Sequence, residues 1–255
     1  MRPLDKGGVP TLADGTPMKP TDYKNWRKPL IDRIGYYCAY CNQPLSNSLQ
    51  VEHVIPKNPS LGYVAGDPLA WDNMLLACGP CNNAKSNHPI DPVTHYLPEE
   101  HNSHLPFVIT PVTSSGNEHA IVAARAGLTA TQDQKAKRTI ALLELDNIDE
   151  RDAIVDIRSI RRRDTIAAVN ANKEQFDEAK LSPTFNLNAA AERVALQAKI
   201  SGFFSLWYEA FANEPEVMKR LIDLTIIKGT AQNCFDPANG YKPIPRNPVN
   251  ATDPI

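Results

Sequence analysis

No stretch of the sequence approaches the roughly 18 consecutive apolar residues of a membrane-spanning helix. The opening residues, Met1-Arg2-Pro3-Leu4-Asp5-Lys6, run into glycine and proline without the apolar segment of a signal peptide. Both absences lead us to expect no membrane association and a cytoplasmic chain, where free thiols persist and disulfides are uncommon. A charge surplus is also missing. With 27 Lys and Arg against 29 Asp and Glu, the formal net charge is −2, so the chain as a whole is no electrostatic trap for phosphates. Any action on nucleic acid then needs a local patch or a partner. Nothing repeats along the chain.

What is present belongs to an ordinary globular protein: 42% hydrophobic and 22% charged residues, at a length between one domain and two. Composition divides the chain into four parts. Residues 1–22, rich in proline and glycine, read as an extended N-terminal arm without a core of its own. Residues 23–92 hold four of the five cysteines. Residues 93–127 are a proline- and histidine-rich loop and a β-hairpin extension, with β-like runs at 105–110 and 119–124 separated by Ser114-Ser115-Gly116-Asn117. Residues 128–255 read as a helical, partner-docking domain with an irregular tail.

In that last part, Thr131 and Gln134 suggest a capping box ahead of Ala136, Ile140 and Leu143 at helical spacing. Further helices are expected at about 148–171, 187–212, and from Pro215 to a stop at Gly229. Phe204, Trp207, Tyr208 and Phe211 form an aromatic stripe at i, i+3, i+4, i+7 that we read as packing. Arg151, Arg158 and Arg162, flanked by Arg161 and Arg163, share a helix face. Interspersed Asp149, Glu150, Asp152, Asp156 and Asp164 favour a solvated, ion-paired surface, with a phosphate-contacting ridge and an acidic-partner docking surface as the sharper readings. A local basic surplus also occurs at Lys19, Lys24, Arg27, Lys28, Arg33 and Lys57. His95, His101 and His104, in a proline-rich loop, are expected to face solvent.

The chemistry concentrates in the cysteines. Cys38-Ala39-Tyr40-Cys41 and Cys78-Gly79-Pro80-Cys81 have the C-x-x-C spacing that lets two thiolates of a tight turn share one tetrahedral zinc. A structural zinc is the reading for a chain of this kind, against a disulfide or unrelated buried thiols. Cys234 stands alone and reads as a packed thiol. Between the cysteine pairs lie Gln50-Val51-Glu52-His53-Val54-Ile55-Pro56 and Trp71-Asp72-Asn73-Met74-Leu75-Leu76-Ala77, each a candidate strand, and a short helix is expected after Cys81. Strand neighbours point to opposite faces, so Glu52 and His53 together in an apolar strand demand a reason.

Cys38-x-x-Cys41, Glu52-His53-x-x-Pro56-Lys57, Trp71-x-Asn73-x-Leu75-Leu76-x-Cys78-x-x-Cys81-Asn82-x-x-Lys85 resemble the zinc-bearing HNH endonucleases over roughly residues 31–90. The opening Met1-Arg2-Pro3-Leu4-Asp5-Lys6-Gly7 and the long helical half resemble further the HNH nuclease subunit of Septu-type antiphage systems and the similar retron-associated nuclease. The resemblance implies an α+β fold: a small zinc-stapled ββα-metal nuclease core, then a mostly helical C-terminal region. It implies His53 as general base and Glu52 and Asn82 as ligands of a catalytic magnesium or manganese; we read Asn73 as orienting, its amide holding the 57–72 loop and so fixing the strand that carries His53. It implies a nucleic-acid substrate, DNA first and RNA such as transfer RNA second. It also implies a separate ABC-like ATPase, which suits a chain without G-x-x-x-x-G-K-[ST]. Glu52 stands where aspartate is commoner in the family. Lys85 either contacts phosphate or braces the loop. The competing class is a catalytically silent zinc module that binds nucleic acid or docks a partner; it needs the cysteines but not Glu52, His53 and Asn82.

Overall fold

The computed structural model describes residues 1–45, 49–148, 156–250 and 252–255. Helix α1 (Arg27–Ile34) precedes strand β1 (Gln50–His53), which pairs antiparallel with β2 (Met74–Ala77) and is followed at once by α2 (Gly79–Lys85). A hairpin of β3 (Phe107–Ser114) and β4 (Asn117–Ala124) leads to α3 (Ala130–Leu143). The remainder is α4 (Arg158–Ala179), α5 (Leu187–Ser201), α6 (Phe204–Ala210), α7 (Pro215–Leu221) and the two-residue strands β5 (Phe235–Asp236) and β6 (Lys242–Pro243). Among the described residues the strands form three separate two-stranded sheets, so the architecture is α+β, with the ββα unit near the N-terminus and helices behind it.

Local chemistry sets these elements. Every residue of β2 is buried, covered on both faces, which explains its unbroken apolar run. The α2 helix starts where Cys78 caps it, its sulfur accepting from the Cys81 amide, with Pro80 in the first turn. The β3–β4 turn places Ser115 and Gly116 at φ 47° and 81°, both in the left-handed region that a tight hairpin turn requires.

Among the described residues two apolar cores result. The first gathers Trp26, Leu30, Tyr40, Trp71, Leu75, Tyr96, Phe107, Ile140 and, from the chain's end, Ile255. The second gathers Val169, Phe176, Val194, Trp207, Phe211, Leu221 and Phe235. The aromatic stripe Phe204, Trp207, Tyr208 and Phe211 lies in the second core.

Several sequence expectations change. The N-terminal segment is extended, but Met1, Arg2, Leu4 and Lys6 are buried. Arg2 donates to the carbonyl of Ile34 at 3.0 Å and to Thr230 Oγ1 at 3.1 Å, and these partners, far along the chain, are what hold a segment too short for its own core. Helix α3 packs into the first core rather than with the later helices. Its capping box is Thr129 with Gln132, not Thr131 with Gln134, because Thr129 is the last extended residue and Thr131 is already helical. The helix expected over 187–212 is broken at Gly202, φ 70°, where a Cβ would sit 2.6 Å from the Asn42 carbonyl oxygen. Asn42 takes over there: its carbonyl accepts from the Phe203 amide at 2.9 Å and its side chain from the Phe204 amide at 2.8 Å. Helix α7 stops at Leu221, short of Gly229. The start expected for α4, with Asp149, Glu150, Arg151 and Asp152, falls outside the described residues, which resume at Asp156, two residues ahead of α4 at Arg158.

Candidate functional site

The four cysteines of the two C-x-x-C pairs are buried, and their sulfurs all lie within 4.8 Å of one another. The Cys41 and Cys78 sulfurs are 3.8 Å apart, which is about the edge of a tetrahedron with zinc–sulfur bonds near 2.3 Å. The donor set and its geometry fit a structural zinc. The Cys81 amide donates to Cys78 Sγ at 3.4 Å, the kind of backbone contact that stabilises a thiolate.

A second set of residues closes over this knuckle from α4. The Arg158 Nη1 donates to Cys81 Sγ at 3.1 Å and to the Leu143 carbonyl at 2.9 Å. Its Nη2 reaches Glu144 O at 2.8 Å and Asp156 Oδ2 at 2.7 Å. Arg162 lies beside it, donating to Leu145 O at 2.8 Å. Both guanidinium groups are buried, so these arginines are neither a solvated face nor a phosphate ridge. Four thiolates on one zinc carry a net charge of about −2, and a buried anion of that kind needs cations nearby. Arg151, the third of the sequence cluster, lies outside the described residues.

At the other end of the ββα unit, Glu52, His53, Asn82 and Lys85 line one cavity of about 230 Å³ together with Tyr23, Pro56, Lys57 and Asn58. Two features bring Glu52 and His53 to the same place despite their adjacency. The strand ends at His53, and Glu52 is drawn toward α2, where Lys85 Nζ lies 2.6 Å from its Oε1. The Tyr40 hydroxyl, from the zinc turn, donates to its Oε2. Lys85 also donates to the His53 carbonyl at 2.7 Å, so one buried ammonium ties the two residues together. Asn82 makes no hydrogen bond to Glu52; its amide N–H donates to Gln50 Oε1 at 2.8 Å.

His53 is half-buried, with its ring 4.8 Å from that of Tyr23. Its Nε2 sits 3.2 Å from the Pro68 carbonyl oxygen. A carbonyl can only accept, so Nε2 carries the proton and Nδ1 keeps the lone pair. Burial depresses the imidazole pKa, outweighing the upward pulls of the Pro68 carbonyl and Glu52, and keeps the ring neutral near pH 7. Asn73 does not enter the cavity lining. Its side chain accepts from the Ile55 amide at 2.7 Å and donates to Ile55 O at 2.9 Å and Asp67 O at 3.0 Å, which clamps the two ends of the β1–β2 loop that carries Pro68. Gly66 fits under this clamp only without a side chain, since a Cβ would lie 2.4 Å from Ile55 O and 2.6 Å from Asn73 Nδ2.

The buried cavity wall also tests for a cation. Glu52 Oε1 is buried and, although Lys85 Nζ lies 2.6 Å away, no donor is aligned on it as a hydrogen bond. The Asn82 amide spends its N–H on Gln50, which keeps its oxygen for a ligand. A carboxylate oxygen and an amide oxygen on one cavity are hard donors of the type magnesium and manganese take.

The other histidines depart from the sequence reading. His101 and His104 are buried, one beside Lys135 at 2.9 Å and the other beside Ser205 at 3.4 Å. His95 is half-buried. Cys234 is buried, and burial pushes its thiol up to about 11, an unreactive state. Tyr23 and Tyr40 went unmarked in the sequence; the C-x-Tyr-C spacing was a signal for the second, because a residue inside the zinc turn points at the strand beneath it.

The zinc-stapled ββα unit carries His53 at the end of its first strand. Residues 38–88 match the family model described as HNH endonuclease. The chain thus carries an HNH endonuclease domain, which makes it a nuclease with nucleic acid as its substrate. No curated protein and no solved structure matches the chain. No helix among the described residues is long and apolar enough to cross a membrane.

Proposed function

We propose that this nuclease hydrolyses DNA with magnesium or manganese, and that His53 is its general base. The observation that carries the reading is the placement of His53, with Nε2 occupied by the Pro68 carbonyl, in the same cavity as Glu52 and Asn82. The Nδ1 lone pair of neutral His53 takes a proton from a water whose oxygen bonds to phosphorus while the bond from phosphorus to the leaving sugar oxygen breaks, that oxygen taking its proton from solvent. Asn73 keeps the imidazole aimed by fixing the loop that supplies Pro68. Glu52 Oε1 and the Asn82 oxygen would hold the divalent ion, which when bound supplies charge stabilisation at the phosphoryl oxygens. Lys85 holds Glu52 in place and neutralises part of its charge.

The exposed Lys19, Lys24, Arg27, Lys28, Arg33 and Lys57 offer phosphate contacts on the segment before and beside the cavity, which suits binding through the backbone more than through bases. We further infer that the chain is the nuclease effector of a Septu-type antiphage complex with a separate ABC-like ATPase. Supporting this are the Met1–Gly7 motif ahead of the HNH unit and the missing phosphate-binding loop. The catalytically silent zinc module is the second reading, favoured by Lys85 already standing against the Glu52 carboxylate.

Cleavage of DNA and of transfer RNA by the chain with whatever co-purifies, without divalent ion and with magnesium or manganese, tests both. Ion-dependent DNA cleavage lost in His53→Ala is the expected result. Cleavage unchanged by His53→Ala sinks the mechanism, and none under any condition supports the silent module.

A further inference from the structure

The loop between β1 and β2 carries a feature that hydrolysis itself does not use. At its crest Leu61 is 103% exposed, Val64 86% and Tyr63 55%, three large apolar side chains within four residues. Single apolar residues on a surface are ordinary; a contiguous run marks an interaction site. The backbone beneath them is held firmly. The Ser60 amide donates to Asn87 O at 2.9 Å, the Gly66 amide to Pro56 O at 3.1 Å, and Trp26 Nε1 to Leu69 O at 2.8 Å.

The foot of this loop is the wall of the catalytic cavity. Lys57 lines it, with Nζ 5.3 Å from the Tyr23 ring centroid. Leu61 is four residues further on, a reach of at most about 14 Å, or about four nucleotide steps along one strand. A strand that lays a phosphate on Lys57 at the edge of this cavity therefore runs within about four nucleotides of the crest. The cations at its foot, Lys57 and the exposed Lys24, match a polyanion.

We propose that Leu61, Tyr63 and Val64 form the substrate-engaging wedge of the nuclease, intercalating or stacking among the bases next to the scissile phosphate while Lys57 takes a flanking phosphate. The proposal rests on the nuclease reading of the His53 cavity. Apolar side chains unstack base steps when driven between them, and an aromatic ring offers a stacking platform to any base. A chain of net charge −2 gains little from a general basic field, so base contacts supply affinity that charge does not.

The test compares the full-length wild type with a Leu61→Ser/Tyr63→Ser/Val64→Ser variant, whose changes are all at exposed positions. Zinc content and melting temperature verify that the variant folds. The substrates are a DNA duplex and its single strand, with 2-aminopurine moved across the four nucleotides either side of the mapped cut. Binding is read in magnesium-free buffer and cleavage with magnesium. Wild type is expected to brighten the probe severalfold on the duplex; the variant loses the brightening and at least tenfold in kcat/KM. Lys57→Ala is expected to weaken binding and flatten its salt dependence while the brightening at saturation stays. A variant that brightens the probe and cleaves within twofold of wild type overturns the wedge, including where the same crest then proves to hold a protein partner. If wild type binds and cleaves no nucleic acid, the nuclease reading falls and the wedge with it.

Discussion

Replacing Arg158 with methionine should destabilise the protein and loosen its zinc together. The Arg158 side chain meets Asp156 through Nε at 2.9 Å and Nη2 at 2.7 Å, two carbonyls at the end of α3, and Cys81 Sγ at 3.1 Å. Methionine fills much of the volume but leaves Asp156, only 8% exposed, as a buried carboxylate without its partner. Breaking a buried pair from one side costs about 3–5 kcal/mol, a large share of the roughly 5–15 kcal/mol that holds a protein folded. At about 2–4 °C per kcal/mol for a chain of this size, the melting temperature should fall by roughly 6–20 °C. Lysine should not rescue it, because a single ammonium cannot reproduce the forked contacts. Transfer of zinc to a chromogenic chelator reads the second effect: without the N–H donor on Cys81, zinc should leave several times faster. The Asp156→Ala/Arg158→Met pair is the internal control. It removes both charges and should recover most of the lost stability, though not the zinc retention. The reasoning fails if Arg158→Met melts within about 1 °C of wild type, or if the double variant is as unstable as the single one.

Gly66→Ala drives a Cβ against Ile55 O and Asn73 Nδ2, so cleavage should drop by roughly 100-fold, the scale of an ångström-sized misplacement, at unchanged zinc content by metal analysis. Lys6 donates to Asp72 O at 3.2 Å and Met74 O at 3.0 Å and pairs with Glu99 at 2.7 Å; Lys6→Met should cost about 3 kcal/mol in urea unfolding, and Lys6→Met/Glu99→Gln should recover part of it. His101 is held neutral, its pKa lowered to about 4 by burial and then by Lys135. The unfolded chain binds that proton from about pH 6.5 downward, so stability should decline between pH 6.5 and about 4, by at most about 1.4 kcal/mol per pH unit. His101→Gln should flatten that part of the urea-midpoint profile.

The zinc knuckle and the ββα order were legible because each part is local. Two C-x-x-C turns have one compact use, and Cys78 both binds metal and caps the helix that follows. The partners of Glu52 were not legible by the same means. Strand alternation separates it from His53, and only the three-dimensional position of Lys85, 33 residues along the chain, shows how a glutamate can be buried there. The arginines show the same limit more sharply. Helical spacing placed Arg158 and Arg162 on one face correctly, but spacing carries no information on what covers that face. Charged residues are ordinarily solvated, and the exception here depends on a buried anionic cluster contributed by residues 38–81. The burial of residues 1–6 was hidden for a related reason: proline, glycine and charge describe a segment that cannot make its own core, not one that completes another. Its Lys6 binds the backbone on either side of Asn73, and Trp71 Nε1 donates to Gly7 O at 2.8 Å. The N-terminal segment thus braces the turn carrying the loop clamp.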